Sequence, residues 1–407
     1  MRVLHILTQR PGLTGSGVTL DALTRCAATA GVTQRAVVGV PAGASFAVAG
    51  LDDAHVHPLY FETDALPFPV PGMSDVMPYR STVFSAMTDT VLERYRGAWR
   101  AHLADGIADF RPDVIHASHL WLVGALLKDV APDIPVVGHC HATGLRQMQL
   151  CPHLAAEVRD GCRRNDAIAV LHAGHAEWVR RELDLPRERI FHVGAGYRED
   201  IFSTWGSTDR INQVLYVGKY SNSKGLSQLL EAVDEIARHR HGLVLHIAGS
   251  GAGDESDVLR ARMETMAPRV VLHGALGQAD LADLMNRCAV CVLPSFYEGV
   301  PLILAEALAC GCRLVATDLP GVVDQLATPF GAAMDLIETP RLVGADVPDP
   351  DDLPVFTAKL TDALAHALDR PELGDPRRVL PGALDDFTWT AVYRRVADVW
   401  SELVDGA

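Results

Sequence analysis

Two glutamates eight residues apart, Glu298 and Glu306, stand in the segment PSFYEGVPLILAEALACG, which follows a short apolar run at 289–294. A Gly-Val-Pro turn lies between them, and its Pro301 is pre-set for the first turn of a helix. The free N–H groups of a helix start face any anion placed there, and a diphosphate suits the position. Glu298 then sits in the loop beside the anion, and Glu306 on the helix, where it can accept hydrogen bonds from the vicinal hydroxyls of a sugar or a ribose. A plainer assignment makes Glu298 a carboxylate satisfying the helix dipole and Glu306 a solvated surface group. The apolar run ILAEALAC around Glu306 is an unusual setting for a solvated carboxylate.

A second group is Lys219 and Lys224, which bracket one loop in VGKYSNSKGLSQLLEAV, between a strand ending at Gly218 and a helix starting near Lys224. Two ammonium groups at the carboxyl end of a strand can neutralise a leaving diphosphate in place of a metal ion. Surface loops often carry two lysines, so the pair weighs only beside the glutamates. The turn TGSG at 14–17 puts Gly15, Ser16 and Gly17 between the first strand and first helix, where backbone can approach a phosphate or sugar closely. It lacks GxGxxG spacing, and GSGAG at 249–253 is weaker still, since such turns need glycine for backbone reasons alone. Histidines gather at 116, 119, 139 and 141. Alternate strand residues face opposite sides, and metal triads also want a carboxylate or cysteine in fixed relation, so no metal site is expected. His141, just beyond a strand end, is placed to hydrogen-bond a substrate.

The elements that must position these groups alternate β-branched runs with helical patterns. VLHIL at 3–7, RAVVGV at 35–40, DVIHA at 113–117, PVVGHC at 135–140, AIAVL at 167–171 and RIFHV at 189–193 read as strands of one parallel sheet. The proline-rich stretch with Pro58, Pro67, Pro69, Pro71 and Pro78 interrupts them as an irregular region. A second series runs through 213–218, 243–249, 270–274, 289–294 and 313–317. The reading is therefore α/β, two Rossmann-like doubly wound domains facing a cleft: a first domain at 1–195, a linker at 196–210, and a second domain at 211–385. In the closing segment 386–407, Val392, Val396, Val399, Trp400 and Leu403 recur at helical spacing and need a surface to cover them. Open α/β sheets bind ligands outside the carboxyl ends of their strands, so the chemistry is to be sought in those loops.

At 407 residues the chain is long enough for two such domains. Its formal net charge of −15 argues against nucleic acid, which demands clustered Lys and Arg. The basic stretch at Arg94–Arg100 reads as the wet face of an amphipathic helix. No apolar run approaches a membrane span, and the N-terminal MRVLHIL is too short for a signal-peptide core, so a soluble cytoplasmic chain is expected. Eight cysteines scattered within apolar patterns read as small buried hydrophobes.

The ordered set resembles the retaining glycosyltransferases of family 4, with the GT-B fold, over nearly the whole chain. The family's paired glutamates match Glu298 and Glu306, which implies contact with sugar hydroxyls for the first and with the ribose for the second. Its basic pair matches Lys219 and Lys224, its glycine loop Gly15–Gly17, and its active-site histidine His141. Backbone N–H groups from Gly299, Val300, Pro301 and Leu302 would complete the phosphate cradle, and the last helix would cross back onto the N-terminal domain. Two positions depart from the pattern: Lys219 stands where the family often has Arg, and Ala195 precedes Gly196 where it often has Asn. The resemblance implies hexosyl transfer from a nucleoside-diphosphate sugar, UDP- or GDP-linked, without metal or other cofactor, and with no nucleic-acid or integral membrane partner. A small soluble acceptor is favoured by the acidic chain. A same-fold sugar-nucleotide epimerase, needing no acceptor, and a non-catalytic nucleotide-sugar-binding partner are the rival readings.

Overall fold

The computed structural model describes residues 1–407 apart from 75–76, 206–209, 252, 299, 345, 371–372 and 407. The chain divides into two compact units, Met1–Ala195 with Trp389–Ala407, and Gly196–Thr388.

In the first unit the strands are β1 (Arg2–Leu7), β2 (Thr33–Pro41), β3 (Val56–Phe61), the short pair β4 (Pro71–Gly72) and β5 (Thr82–Val83), then β6 (Val114–Ala117), β7 (Val136–Cys140), β8 (Ala167–Val170) and β9 (Ile190–His192). Apart from the short pair they form one parallel sheet of order β3-β2-β1-β6-β7-β8-β9. β3 falls in the stretch expected to be irregular. It is the edge strand, where Pro58 can lack an N–H without breaking a ladder between two neighbours.

The second unit contains β10 (Gln213–Val217), β11 (Val244–Ala248), β12 (Val270–Gly274), β13 (Val290–Leu293), β14 (Arg313–Thr317) and β15 (Met334–Ile337), all parallel in the order β12-β11-β10-β13-β14-β15. Side chains alternate across it as a doubly covered sheet requires. Val214, Tyr216, Val290, Val292 and Val315 enter one core with Leu229 and Val233. Leu215, Cys291, Leu293 and Leu314 enter the other with Leu304 and Leu308. Both units are thus doubly wound α/β sheets, as the sequence pattern indicates.

Gly196–Arg210, read from sequence as a connection, is bound into the second unit where it is described. Tyr197 N donates to Phe387 O at 2.8 Å, Phe202 is buried, and Arg210 Nη1 donates to Cys310 O at 2.9 Å. The last helix, Trp389–Asp405, belongs to the first unit and packs along the helix Gly15–Thr29. It buries Val392, Val396, Val399 and Trp400; Trp400 Nε1 donates to His116 Nδ1 at 3.0 Å, and Arg395 Nε to Val193 O at 2.8 Å. Seven of the eight cysteines are buried and all are free thiols. Among the described residues, no helix is long and apolar enough to cross a membrane.

Candidate nucleotide-sugar site

The strand order of the second sheet reverses between β10 and β13, and such a switch point opens a crevice beyond the carboxyl ends. The loops that leave those two strands carry the lysines and Glu298. After β10 the chain passes Lys219, forms a 3-10 turn at Asn222–Lys224, and enters the helix Leu226–Ala237 through Gly225. Gly225 has φ +64°, and a Cβ there would collide with the carbonyl oxygen of Pro294 at the end of β13. Only glycine permits that approach. Phe296 N donates to Ser223 O at 2.9 Å, tying the two loops together.

The consequence is a contact across 74 residues: Lys224 Nζ lies 2.8 Å from Glu298 Oε1, and also donates to Tyr297 O at 3.1 Å. Ser295 Oγ donates to the same carboxylate oxygen at 2.8 Å. Both partners of the ion pair retain about a fifth of their side-chain exposure, so a ligand can reach them. Lys219 is exposed and enters no ion pair among the described residues. A second close approach, missed in the sequence, shapes the floor of this loop: a Cβ on Gly249, at φ +143°, would overlap the carbonyl oxygen of Gly218. The glycine run after β11 thus lets two backbones meet, and only the fold reveals which glycine matters.

Gly299 lies outside the described residues. Pro301 is not the first helical residue but the N-cap of the helix Leu302–Ala309, with φ −78° and ψ 90°. Pro301 also has no N–H, so of the expected cradle it can only shape the backbone. Leu302 and Ile303 open the helix, where N–H groups lack intrahelical partners. Glu306, one turn further on, is half-buried, and burial pushes its carboxyl up to about 7. Among the described residues, no hydrogen bond or ion pair joins Glu306 to Glu298, Lys219 or Lys224; Cys291 and Cys310 are among its neighbours. Hydrogen bonds donated to this half-buried carboxyl by a ligand entering beside it would favour its ionised form and offset the effect of burial.

In the first unit, Gly15, Ser16 and Gly17 form the start of the helix Gly15–Thr29 after β1. Thr14 caps it by accepting from Gly17 N at 3.2 Å, and Ser16 Oγ donates to Gln9 Oε1 at 3.1 Å. A Cβ on Gly17 would stand 2.7 Å from Gly12 N, whereas one on Gly15 would meet nothing within 4 Å. Gly17 therefore serves the turn, and Gly15 leaves open space.

His141 follows β7 in a nest of imidazoles. His139 stacks on it with ring centroids 4.4 Å apart, and His119 stands edge-on at 5.8 Å. His116 Nδ1 accepts from Trp400, so the neutral ring donates from Nε2 to His139 Nδ1 at 3.1 Å. Burial holds His116, His139 and His141 well below the usual histidine range, and like neighbours add to it. His141 Nε2 is buried without a hydrogen-bond partner. A neutral imidazole donates one hydrogen bond and accepts another, which fits substrate hydroxyls rather than charge. Among the described residues, no group of three or more His, Cys, Asp and Glu could hold a metal ion.

Two parallel doubly wound units with polar loops at their switch points define the GT-B class of transferase, and comparison with known proteins agrees. Residues 14–196 match the model of the glycosyl transferase 4-like domain, and residues 211–338 that of glycosyl transferases group 1. The chain belongs to this glycosyltransferase family. A glycogen synthase of Mycobacterium tuberculosis is 27% identical over 223 residues, 52% of this chain and 54% of that protein. An alpha-D-kanosaminyltransferase of Streptomyces kanamyceticus is 25% identical over 279 residues, 65% of this chain and 67% of that one. The match to the glycogen synthase thus spans about half of its length. Among solved structures, a sucrose-phosphate synthase from Thermosynechococcus elongatus superposes with a TM-score of 0.72 at 16% identity, covering 100% of both chains. Anabaena HepE in complex with UDP and glucose gives 0.65 at 16% identity, covering 98% of this chain and 99% of that one.

Proposed function

We propose that this glycosyltransferase moves a hexose from a UDP- or GDP-linked donor to a small soluble acceptor in the cytoplasm, with retention of anomeric configuration and without a metal ion. The observation that carries the reading is the meeting of Lys224 and Glu298 at the switch point of the second sheet, with Lys219 exposed in the same loop. Lys219, Lys224 and the N–H groups at Leu302 hold the diphosphate, helped by the backbone around Gly299 and Val300. Glu298 contacts sugar hydroxyls, and Glu306 accepts from the ribose. Gly15, Ser16, Gly17 and His141 serve the transferred sugar and its reacting carbon. HepE, of like fold, binds UDP and glucose, which supports a nucleotide-sugar donor.

In this mechanism the bond from the anomeric carbon to the diphosphate oxygen breaks with its electron pair going to the diphosphate. The nucleophilic atom of the acceptor, an oxygen, nitrogen or sulfur that carries a hydrogen, bonds to the same face of that carbon, and its proton passes to the departing diphosphate. The lysines stabilise the charge that develops there, so no protein base is required. Calorimetric titration of metal-free protein with UDP and GDP tests the reading, repeated on Glu306→Ala and on Lys219→Ala/Lys224→Ala. Binding of one nucleotide, weakened in both variants, is expected. If neither nucleotide binds without metal, the proposed donor site is wrong; if the donor is consumed without any acceptor, the reaction is isomerisation or hydrolysis rather than transfer.

A further inference from the structure

The helix Trp389–Asp405 reaches the histidine group of the first unit with more than apolar packing. Trp400 is fully buried, and its indole stands edge-on to His116, with ring planes at 87° and centroids 5.6 Å apart, and to His5 at 5.7 Å. An indole has a donor and no acceptor, so its 3.0 Å bond to His116 Nδ1 has one direction. His116 must then carry its proton on Nε2, which donates to His139 Nδ1 at 3.1 Å. With Nδ1 accepting, a neutral His139 carries its own proton on Nε2, an atom buried with no hydrogen-bond partner among the described residues. A half-turn of the His116 ring about its Cβ–Cγ bond would put carbons where both nitrogens stand and break both bonds.

Which nitrogen is protonated is the choice left to these rings, because burial keeps His116, His139 and His141 neutral. The indole makes that choice for His116 and, through it, for His139. His139 lies almost parallel to His141, at 16° with centroids 4.4 Å apart, so a swing of His141 out of its plane runs into His139. Next to His141 the backbone leaves β7 through Ala142 at φ +65°, a left-handed conformation that is costly for a residue with a Cβ and persists only where its surroundings hold it. His141 is thus gripped at one ring face and at its backbone.

We infer that Trp400, His116 and His139 are positioning residues for His141: the indole N–H directs a hydrogen-bonded relay that fixes the proton and plane of His139, and His139 in turn fixes the plane of the His141 ring. The functional consequence rests on the reading of His141 as a group that meets the transferred sugar.

The test is nitrogen NMR of the full chain labelled at histidine, with His116→Phe, His139→Phe and His141→Ala assigning the three rings. In the parent, His116 and His139 are expected as single tautomers protonated at Nε2. Trp400→Phe should spread the His116 proton over both nitrogens and shift the resonances of His139 and His141. His116→Phe should release His139 in the same way, and it guards against a folding defect in Trp400→Phe. Val399→Ala removes packing from the same helix but keeps the indole, so it should retain the parent's pattern. A second readout is the affinity for UDP-glucose or GDP-glucose relative to the free diphosphate, which isolates the sugar contact. That ratio should fall about tenfold in His141→Ala and about threefold in Trp400→Phe, and stay unchanged in Val399→Ala. The inference is overturned if the parent protonates Nδ1 of His116 or His139, or if Trp400→Phe leaves all three rings unchanged. It is equally overturned if Val399→Ala disturbs them as much, or if the ratio falls in His141→Ala but not in Trp400→Phe. A ratio unchanged in His141→Ala instead overturns the role given to His141, and the nitrogen spectrum, which needs no ligand, still decides the relay.

Discussion

Lys224 Nζ and Glu298 Oε1 meet at 2.8 Å although 74 residues separate them, because β10 and β13 are neighbours in the second sheet. The pair presents a cation and an anion side by side, and in the proposed function the first serves a diphosphate and the second sugar hydroxyls. Removing either should act on a different step. Lys224→Ala is expected to weaken UDP or GDP binding by about 1.5–3 kcal/mol, the worth of a hydrogen bond to a charged group. Glu298→Gln should leave nucleotide affinity within a few-fold and lower kcat/KM for transfer by about 100-fold. Titration and initial rates on the two variants check the division; equal losses in both measurements would sink it.

Gly225 makes that meeting possible. With φ +64° and the Pro294 carbonyl where a Cβ would stand, Gly225→Ala suffers both backbone strain and a clash that must push the two loops apart. A stability loss of about 1–3 kcal/mol is expected in urea unfolding, accompanied by a nucleotide affinity at least as weak as that of Lys224→Ala. Gly15→Ala is the contrast, since open space surrounds that position. Unchanged stability in Gly225→Ala would show that the loops do not depend on this contact.

Glu306 sets a pH dependence. Its folded-state carboxyl is raised to about 7, so it holds a proton over much of the range from 4.5 to 7 where an unfolded glutamate has lost it. Stability from this group is therefore gained as pH falls through 7 and lost as pH rises. Acceptance of ribose hydroxyls needs the ionised form, so nucleotide affinity is expected to rise between pH 6 and pH 8. Glu306→Gln should flatten that rise. A profile identical in parent and variant argues against the ribose contact.

The histidines of the first unit carry the opposite sign. His5 is lowered to about 4, His119 and His175 to about 3, and His116, His139 and His141 also lie well below 6.5, all chiefly by burial. Below 6.5 the unfolded chain binds protons that the folded unit refuses, so stability is full above that pH and falls as the solution is acidified. Thermal unfolding at pH 7.5, 6.0 and 5.0 should show this unit's transition dropping steadily. A transition that stays constant from 7.5 to 5.0 contradicts the buried, neutral state of these rings.

Trp400 joins the last helix to that histidine group through its 3.0 Å bond to His116 Nδ1. Trp400→Phe keeps most of the buried ring but leaves the imidazole nitrogen unsatisfied, at a cost of about 1–3 kcal/mol. Urea unfolding of the variant measures it, and a loss well under that range would mean the hydrogen bond adds little to the packing.

What the sequence by itself determined is local in origin. Runs such as VLHIL and QVLYVG carry the β-branched and aromatic residues of buried strands, and the helices between them carry their own period, so two doubly wound sheets and the loops at their carboxyl ends were readable without coordinates. The motif residues Glu298, Lys219 and Lys224 were legible for the same reason, since they follow recognisable strands, and Glu306 stood out as a charge within an apolar helical run. Two edge strands, β3 and β15, escaped although the edges β9 and β12 were read: Pro58 in β3 and Asp335 in β15 interrupt the strand pattern, and each stands in a strand with a neighbour on one side alone, which is a property of sheet order and not of sequence. Sheet order likewise decided that Lys224 reaches Glu298 while Glu306 stands apart, and that Gly225 and Gly249 are the glycines under steric demand. Contacts of this kind join residues tens of positions apart through strand adjacency and backbone approach, and no local pattern encodes the distance across which they close.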